Sequence, residues 1–347
     1  MRILLLPCHE VLEADELRLL RSLGHDVFSP GSYVEPQNRG DHHLRPKIEG
    51  LQYDPETLAA YHALHAAHPG EDQKGHLTAE FLRRFDAVVV MHIPEWITRN
   101  WEAFKASGIT VIWRTIGQSI AWQEELLRPY REKGLKIVRY SPAEDRIPGY
   151  IGGDAMIRFA KNPDEWNGWH GSEKAVLHVG QDVIKRRENC SFDFYEGITP
   201  PYPRTRIGNG SEVLPWGRGK VTYDELRDAL RSHRVFFYTG THPASYTLGF
   251  IEAMMLGIPV VSCGPNHGNN LRAYPGHRLF EVPELLDGTN GLASDDPFEL
   301  HEYITNLLTD HDFARSVSAK GRETAIRLFG EATIREQWRA FLGGLAA

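Results

Sequence analysis

One feature limits what this chain can fold into more than any other. Short apolar runs rich in β-branched residues alternate with longer amphipathic stretches along most of its length. A parallel strand is covered on both faces and therefore reads as an unbroken apolar run, and the stretch between two such runs is the crossover helix that covers them. RILLL (Arg2 to Leu6), HDVFSP, DAVVVMH (Asp86 to His92), GITVIW (Gly108 to Trp113) and LKIVRY (Leu135 to Tyr140) read as strands. Helices are expected over about 11–23, 95–106 and 118–132, the first stopped by Gly24. These elements make one wound α/β domain.

The rhythm breaks between Ser141 and Gly171, where Pro142, Pro148, Gly149, Gly152, Gly153, Pro163 and Gly168 crowd together as a linker. A second set follows, with KAVLHVG, RTRIGN, RVFFYTG and IPVVSCG as strands and helices near 182–196 and 222–232. The last fifty residues are helical in pattern. The expected division is an N-terminal domain over 1–150, a C-terminal domain over 151–330, and a helix over 331–347 that packs back toward the first domain. Residues 34–75, rich in His, Pro and Asp, carry the weakest pattern. Two wound halves would hold a ligand in the cleft between them, at the carboxyl ends of the strands.

Composition removes several classes of function. A net charge of -7 supplies no basic excess for docking on nucleic acid. Cys8, Cys190 and Cys263 are odd in number and far apart, which suits three reduced thiols rather than a disulfide framework or a cysteine zinc site. MRILLLPCHE has too short an apolar run for a signal segment, and no run of 18 apolar residues occurs. The expected location is the cytoplasm, free or peripheral to a membrane. No G-x-G-x-x-G follows the first strand, and no G-x-S-x-G or Walker A sequence is present, so a nicotinamide dehydrogenase, a serine hydrolase and a P-loop enzyme are unsupported. His62, His65 and His68 step round one helix and read as a histidine face, and Asp310-His311-Asp312 reads as a surface turn, so no metal site is expected.

The stretch that carries chemistry is HPASYTLGFIEAMMLGIPVVS, His242 to Ser262. It reads as a loop from a strand end, a helix apolar on nearly every side, and another strand. Ser245 or Thr247 can cap the helix, leaving N–H groups around Tyr246 to Gly249 at its positive end, where phosphate binds naturally. Glu252 is the one acid in this helix, and an unpartnered buried carboxylate costs several kcal/mol in effective terms. Its partner is a neighbouring Arg or Lys, water at a narrow edge, or the vicinal hydroxyls of a ribose.

YTLGFIEAMMLGIPVVS resembles the donor-site signature of retaining glycosyltransferases of family 4, the group 1 enzymes, written E-x-F-G-x-x-x-x-E-A-M-A-x-G-x-P-V-V. LRLLRSLGHDVF is similar to the family's first helix and second strand, MIRFAKNPDEWNGWHGSEKAVLHVGQDVIKR to its linker and V-G-R-x-x-x-x-K turn, NGLAS to a late strand, and LFGEATIREQWRAFL to its final helices. The resemblance implies an α/β protein of GT-B type, with two Rossmann-like wound parallel-sheet domains facing each other across a cleft. It implies a metal-independent transferase that moves a sugar from a nucleotide-diphosphate sugar to an acceptor hydroxyl with retention of configuration, and that requires no further cofactor.

In that resemblance Glu252 holds the donor ribose, backbone N–H groups at Thr247 and Leu248 take the diphosphate, and Lys185 and Arg186 face the same group. Trp216 opens a loop that meets the nucleobase, or else is packing. Two departures stand out: Ala244 replaces the first acid of the family pair, and Gln181 stands where the family has Arg. His242 and Ser245 are the candidates to make the contacts the missing acid would make. On the acceptor side, His92 ends its strand and meets the acceptor or caps the next helix, and His9, Glu10, Arg114, Thr115 and Gln118 close neighbouring strands. The implied acceptor is a saccharide, a lipid-linked group or a small molecule. Glycosylation of modified DNA bases is a further reading that the net charge disfavours, and a non-catalytic nucleotide-sugar-binding subunit is the reading that Ala244 favours.

Overall fold

A computed structural model describes residues 1–35, 46–68, 73–270 and 272–346; parts of the His-, Pro- and Asp-rich stretch lie outside the described residues. The chain divides into two compact units. Unit 1 holds Met1–Pro142, Gly149–Ile157 and Arg335–Ala347, and unit 2 holds Ala143–Pro148 and Arg158–Ile334.

The sheet of unit 1 contains β1 (Arg2–Leu6), β2 (Asp26–Phe28), β3 (Ala87–Met91), β4 (Thr110–Arg114), β5 (Lys136–Arg139) and β6 (Ala155–Met156), in the order β2-β1-β3-β4-β5-β6. Every pairing is parallel, with Leu4 opposite Val88 and Val89 opposite Ile112. Residues 87–91 are all buried, which is why the sequence there shows no polar alternation. Unit 2 has a second parallel sheet of β7 (Glu173–Val179), β8 (Arg204–Ile207), β9 (His233–Tyr238), β10 (Val260–Cys263) and β11 (Leu292–Ser294), in the order β11-β10-β9-β7-β8.

Some local expectations change. The helix expected over 182–196 is a run of turns through 181–191 followed by a short helix, Phe192–Ile198. The polar string KRREN offers no apolar stripe to bury, and Asp182 and Ser191 take left-handed φ values of 51° and 46°, which break helical continuity. The helix expected from 118 starts at Ala121, after Gly117 turns the chain at φ 77°. His62 and His65 lie on the helix Pro55–Ala66, but His68 falls beyond its end and stacks on His76 at 4.0 Å. Asp310 caps the helix His311–Phe329 by accepting from the N–H groups of Asp312 and Phe313.

Unit 1 is braced by buried ion pairs. Arg114 is fully buried; its Nε and Nη2 reach Glu16 Oε1 at 3.2 and 3.0 Å, and its Nη1 donates to the carbonyls of Ile157 and Arg139 at 2.5 and 3.4 Å. The Trp338 ring lies 5.7 Å from the guanidinium. Burial raises the Glu16 carboxyl above its ordinary range, and Arg114 opposes that rise. A parallel pair joins Arg139 to Glu124 at 2.6 and 2.9 Å. Breaking such a pair leaves one charge stranded, so Arg114→Met should lower the unfolding free energy by about 3–5 kcal/mol, and adding Glu16→Leu should restore much of it. Urea unfolding of the full chain measures both; equal losses in the single and double variants would show that the pair is not the brace.

Candidate functional site

The candidate site is built at the carboxyl edge of the second sheet, where β9 runs into a loop and then the helix Leu248–Leu256. Tyr238 fixes the start of that helix: its hydroxyl accepts from Thr247 N at 2.8 Å and donates to Thr247 Oγ1 at 3.2 Å. The Thr247 side chain is thereby occupied and does not cap the helix, and Ser245, fully buried, has no hydrogen-bond partner for its hydroxyl. Neither residue makes the cap expected of it. The N–H groups of Leu248 and Gly249 have no acceptor among the described residues, so two donors stand open at the positive end of the helix.

One turn on, Glu252 is 6% exposed and pairs with Lys161, itself 2% exposed, at 2.7 Å. Lys161 also lies 5.0 Å from the centre of the Trp166 ring, and its backbone bonds to Phe329 O and Glu331 N. The need for a partner was readable from Glu252, but nothing in AKNPDEW marked Lys161 as that partner. The Tyr246 side chain is buried against Arg158, which also grips Glu281, and Glu281 N donates to Ser245 O at 3.1 Å. Tyr246 is thus committed to holding the loop in place.

His242 is 3% exposed and follows β9 by four residues. Its N–H donates to Asn189 O at 2.6 Å, and its carbonyl accepts from Asn189 Nδ2 at 3.1 Å, which ties the loop to the turns that follow β7. Nε2 sits 3.0 Å from Thr239 O and must carry the proton, so Nδ1 is a bare acceptor, buried with no partner. Burial pushes the His242 pKa down to about 4, so the ring is neutral at neutral pH. On those turns Lys185 and Arg186 are exposed, Lys185 lying 3.8 Å from Asp182. Trp216 packs inside unit 2, 5.7 Å from Tyr195 and under the Arg204 guanidinium at 4.2 Å. Past β10 a cavity of about 870 Å³ is lined by Asn266, Asn270, Arg278 and Phe280 among others, and the Phe280 ring is 5.2 Å from that of His242.

The residues expected on the acceptor side belong to unit 1. His9 is exposed and accepts from Val11 N at 3.2 Å as the cap of its helix, Glu10 begins that helix, and Gln118 is half-buried after β4. His92 sits just past β3 at φ 60°; burial lowers its pKa, and its Nδ1 has no partner. Arg114 and Thr115 are both fully buried, Arg114 in the brace already described and Thr115 accepting from Tyr140 N at 2.9 Å. These hydrogen bonds join neighbouring strands and the first helix of unit 1. Sequence reading missed Glu13, whose carboxyl burial raises to about 7 while Ser29 and Ser32 N hydrogen-bond to it. Among the described residues no cluster of three or more metal-ligating side chains occurs, and no helix is long and apolar enough to cross a membrane.

No protein-family model matches the chain, and no curated protein sequence matches it. Solved structures do. Sucrose-phosphate synthase from Thermosynechococcus elongatus aligns with a TM-score of 0.65 at 17% identity over 99% of both chains. HepE of Anabaena, solved with UDP and glucose, aligns with a TM-score of 0.64 at 13% identity over 99% of this chain and 100% of that one. An alpha-glucosyltransferase solved with UDP-glucose and DNA containing an abasic site aligns with a TM-score of 0.60 at 11% identity over 99% of each. The fold is that of the GT-B glycosyltransferases.

Within this GT-B chain, Ala244 is 1% exposed, so a longer acidic side chain at that position would have to displace its neighbours. The depressed His242 pKa makes a measurable prediction. An unfolded His binds its proton near pH 6.5 and the folded one near 4, so the contribution of His242 is complete above pH 6.5 and is lost as pH falls toward 4. Wild type should lose about 3 kcal/mol more than His242→Gln between pH 7 and pH 4. Urea unfolding at stepped pH decides it; parallel curves for the two proteins would show that the ring is not held neutral.

Proposed function

We propose that this protein is a glycosyltransferase that moves a sugar from a nucleotide-diphosphate sugar to an acceptor hydroxyl with retention of configuration, and that it belongs with the family 4 enzymes its donor motif resembles. The observation that carries the reading is the spacing of the open Leu248 and Gly249 N–H groups and the buried Glu252 one turn below them. A diphosphate at the helix start would place a ribose within reach of the carboxylate, which Lys161 supplies with a counter-ion. HepE and the alpha-glucosyltransferase were each solved with UDP or UDP-glucose, which supports a nucleotide-sugar donor.

Catalysis on this reading comes from position and electrostatics, with no obligatory metal. The open N–H groups, with Lys185 and Arg186, stabilise charge on the departing diphosphate. His242 offers a neutral acceptor nitrogen near the donor sugar, and the amides of Asn266 and Asn270 with the Phe280 ring offer groups that recognise hydroxyls. His92 receives or orients the acceptor hydroxyl, and His9, Glu10 and Gln118 follow strand ends of the same sheet. The acceptor is a saccharide, a lipid-linked group or a small molecule; a DNA acceptor is disfavoured by the net charge of -7. The buried Ala244 supports a second reading, a nucleotide-sugar-binding subunit without turnover.

Calorimetry with UDP, GDP, ADP and TDP and their sugar conjugates tests the proposal. One base should bind selectively, and Glu252→Gln, which preserves shape, should weaken it by roughly 10–100-fold, the cost of losing hydrogen bonds to a charged acceptor. Slow release of free sugar from the best donor should accompany binding. Selective binding with no turnover in any acceptor screen would favour the second reading, and absence of binding by every nucleotide would overturn both.

A further inference from the structure

We infer that Arg206 is the fixed positive charge that makes this site prefer a diphosphate to a neutral nucleoside, an inference that rests on the donor reading above. Five arginines are buried in the described residues: Arg114, Arg139, Arg158, Arg206 and Arg234. Three have a carboxylate within ion-pair distance, Glu16, Glu124 and Glu281 respectively. Arg234 has none, but it donates to Leu308 O in the last turn of the helix Pro297–Thr309, where the helix dipole is negative.

Arg206 has neither kind of partner: the Glu196 carboxylate acts on it only from beyond ion-pair distance and is itself paired with Arg204 at 3.1 Å. It is 0% exposed on β8, and no carboxylate of the described residues lies within ion-pair distance. Nη1 donates to His178 Nδ1 at 2.6 Å and Nη2 to Gly180 O at 3.2 Å, the Phe192 ring lies 5.4 Å away, and Nε has no partner. Taking a guanidinium out of water costs several kcal/mol in effective terms unless an opposite charge repays it. A buried cation left in this state, with an unsatisfied N–H, calls for a functional explanation.

The proton arrangement shows that the charge is not passed on. Thr239 Oγ1 donates to Cys190 O at 2.6 Å and therefore accepts from His178 Nε2, 3.1 Å away. His178 then carries its proton on Nε2 and turns the Nδ1 lone pair to Arg206. Burial, followed by the neighbouring guanidinium, holds the His178 pKa well below its ordinary value, so the imidazole stays neutral. The relay from Arg206 through His178 and Thr239 to Cys190 contains one positive charge and no negative one.

Its location names the missing counter-ion. Arg206 and His178 are register partners near the carboxyl ends of β8 and β7. Thr239 is the first residue past β9 and opens the loop that leads to Leu248 and Gly249. Gly180, held by Nη2, opens the turns that carry Lys185 and Arg186. The relay thus joins both segments that would surround a diphosphate. Arg206 is too buried to touch a ligand. It is a positioning residue that holds the Gly180 turn and projects its field through the buried relay toward the edge.

The test compares the best-binding nucleoside diphosphate with its own nucleoside, by calorimetry on the full chain. Arg206→Gln should weaken the diphosphate about tenfold, the effect of one unit charge across several ångströms of partly polar protein, and leave the nucleoside unchanged. Arg206→Lys should keep most of the preference, because it keeps the charge. An equal loss for diphosphate and nucleoside would mark Arg206 as merely structural and overturn the inference, as would no loss at all. Should Arg206→Gln not fold, Arg206→Lys decides alone: a retained preference supports the role of charge, and a lost one overturns it. If wild type binds no diphosphate of any base, the donor reading itself fails; if it binds one and Arg206→Gln binds it equally well, only this inference fails.

Discussion

A parallel strand cannot be followed by a hairpin, because the next strand must begin at the same end. Each connection therefore crosses the sheet, and the segments that leave the carboxyl ends collect along one edge. The rest of this structure depends on that constraint. In the second sheet, with β9 between β10 and β7, it puts the loop before Leu248, the turns carrying Lys185 and Arg186, and the segment around Trp216 on the same edge. In the first sheet it does the same for the residues after β1, β3 and β4. The N–H groups at the start of the helix Leu248–Leu256 stay open because Tyr238, at the end of the preceding strand, occupies the side chain of Thr247 that would otherwise cap the helix.

Sheets covered on both faces leave few places for charge, and the buried charges of this protein are correspondingly specific. Arg114, Arg139 and Arg158 each join segments distant in sequence through a carboxylate, reaching across 98, 15 and 123 residues. Lys161 and Glu252 follow the same rule inside the candidate site. Arg206 departs from it, at the edge where the open N–H groups stand. Uncompensated charge in a dry interior is a cost that folding alone gives no reason to keep.

Much of the fold was legible in the chain because burial on both faces writes itself as an apolar run. Nine of the eleven strands among the described residues match runs readable as strands; β11 was marked only by the family resemblance of NGLAS, and β6, of two residues, was too short to leave a pattern. The helix expected over 182–196 is interrupted by the left-handed backbone of Asp182 and Ser191, which helical propensity does not reveal because Val183, Cys190, Phe192 and Tyr195 are buried either way. Arg114 and Thr115 looked available because they end a strand, yet position along a strand does not say whether the loop beyond it closes over the side chain. Glu13 is buried by the return of Gly31 and Ser32 over it, a contact that the helical pattern of its own segment does not record.

The sequence by itself determined the alternation of strands and helices, the wound α/β class, the carboxyl-end position of the loop after Tyr238, and the requirement that Glu252 have a partner. These follow from local periodicity and from the cost of burying a charge, which are properties of neighbouring residues. Only the tertiary structure decided that the partner is Lys161, 91 positions away, that His242 stays neutral, and that Arg206 is enclosed without a carboxylate. Each of these depends on which side chains from distant strands meet and on how much water they exclude. Sequence order does not encode that until the chain has closed on itself.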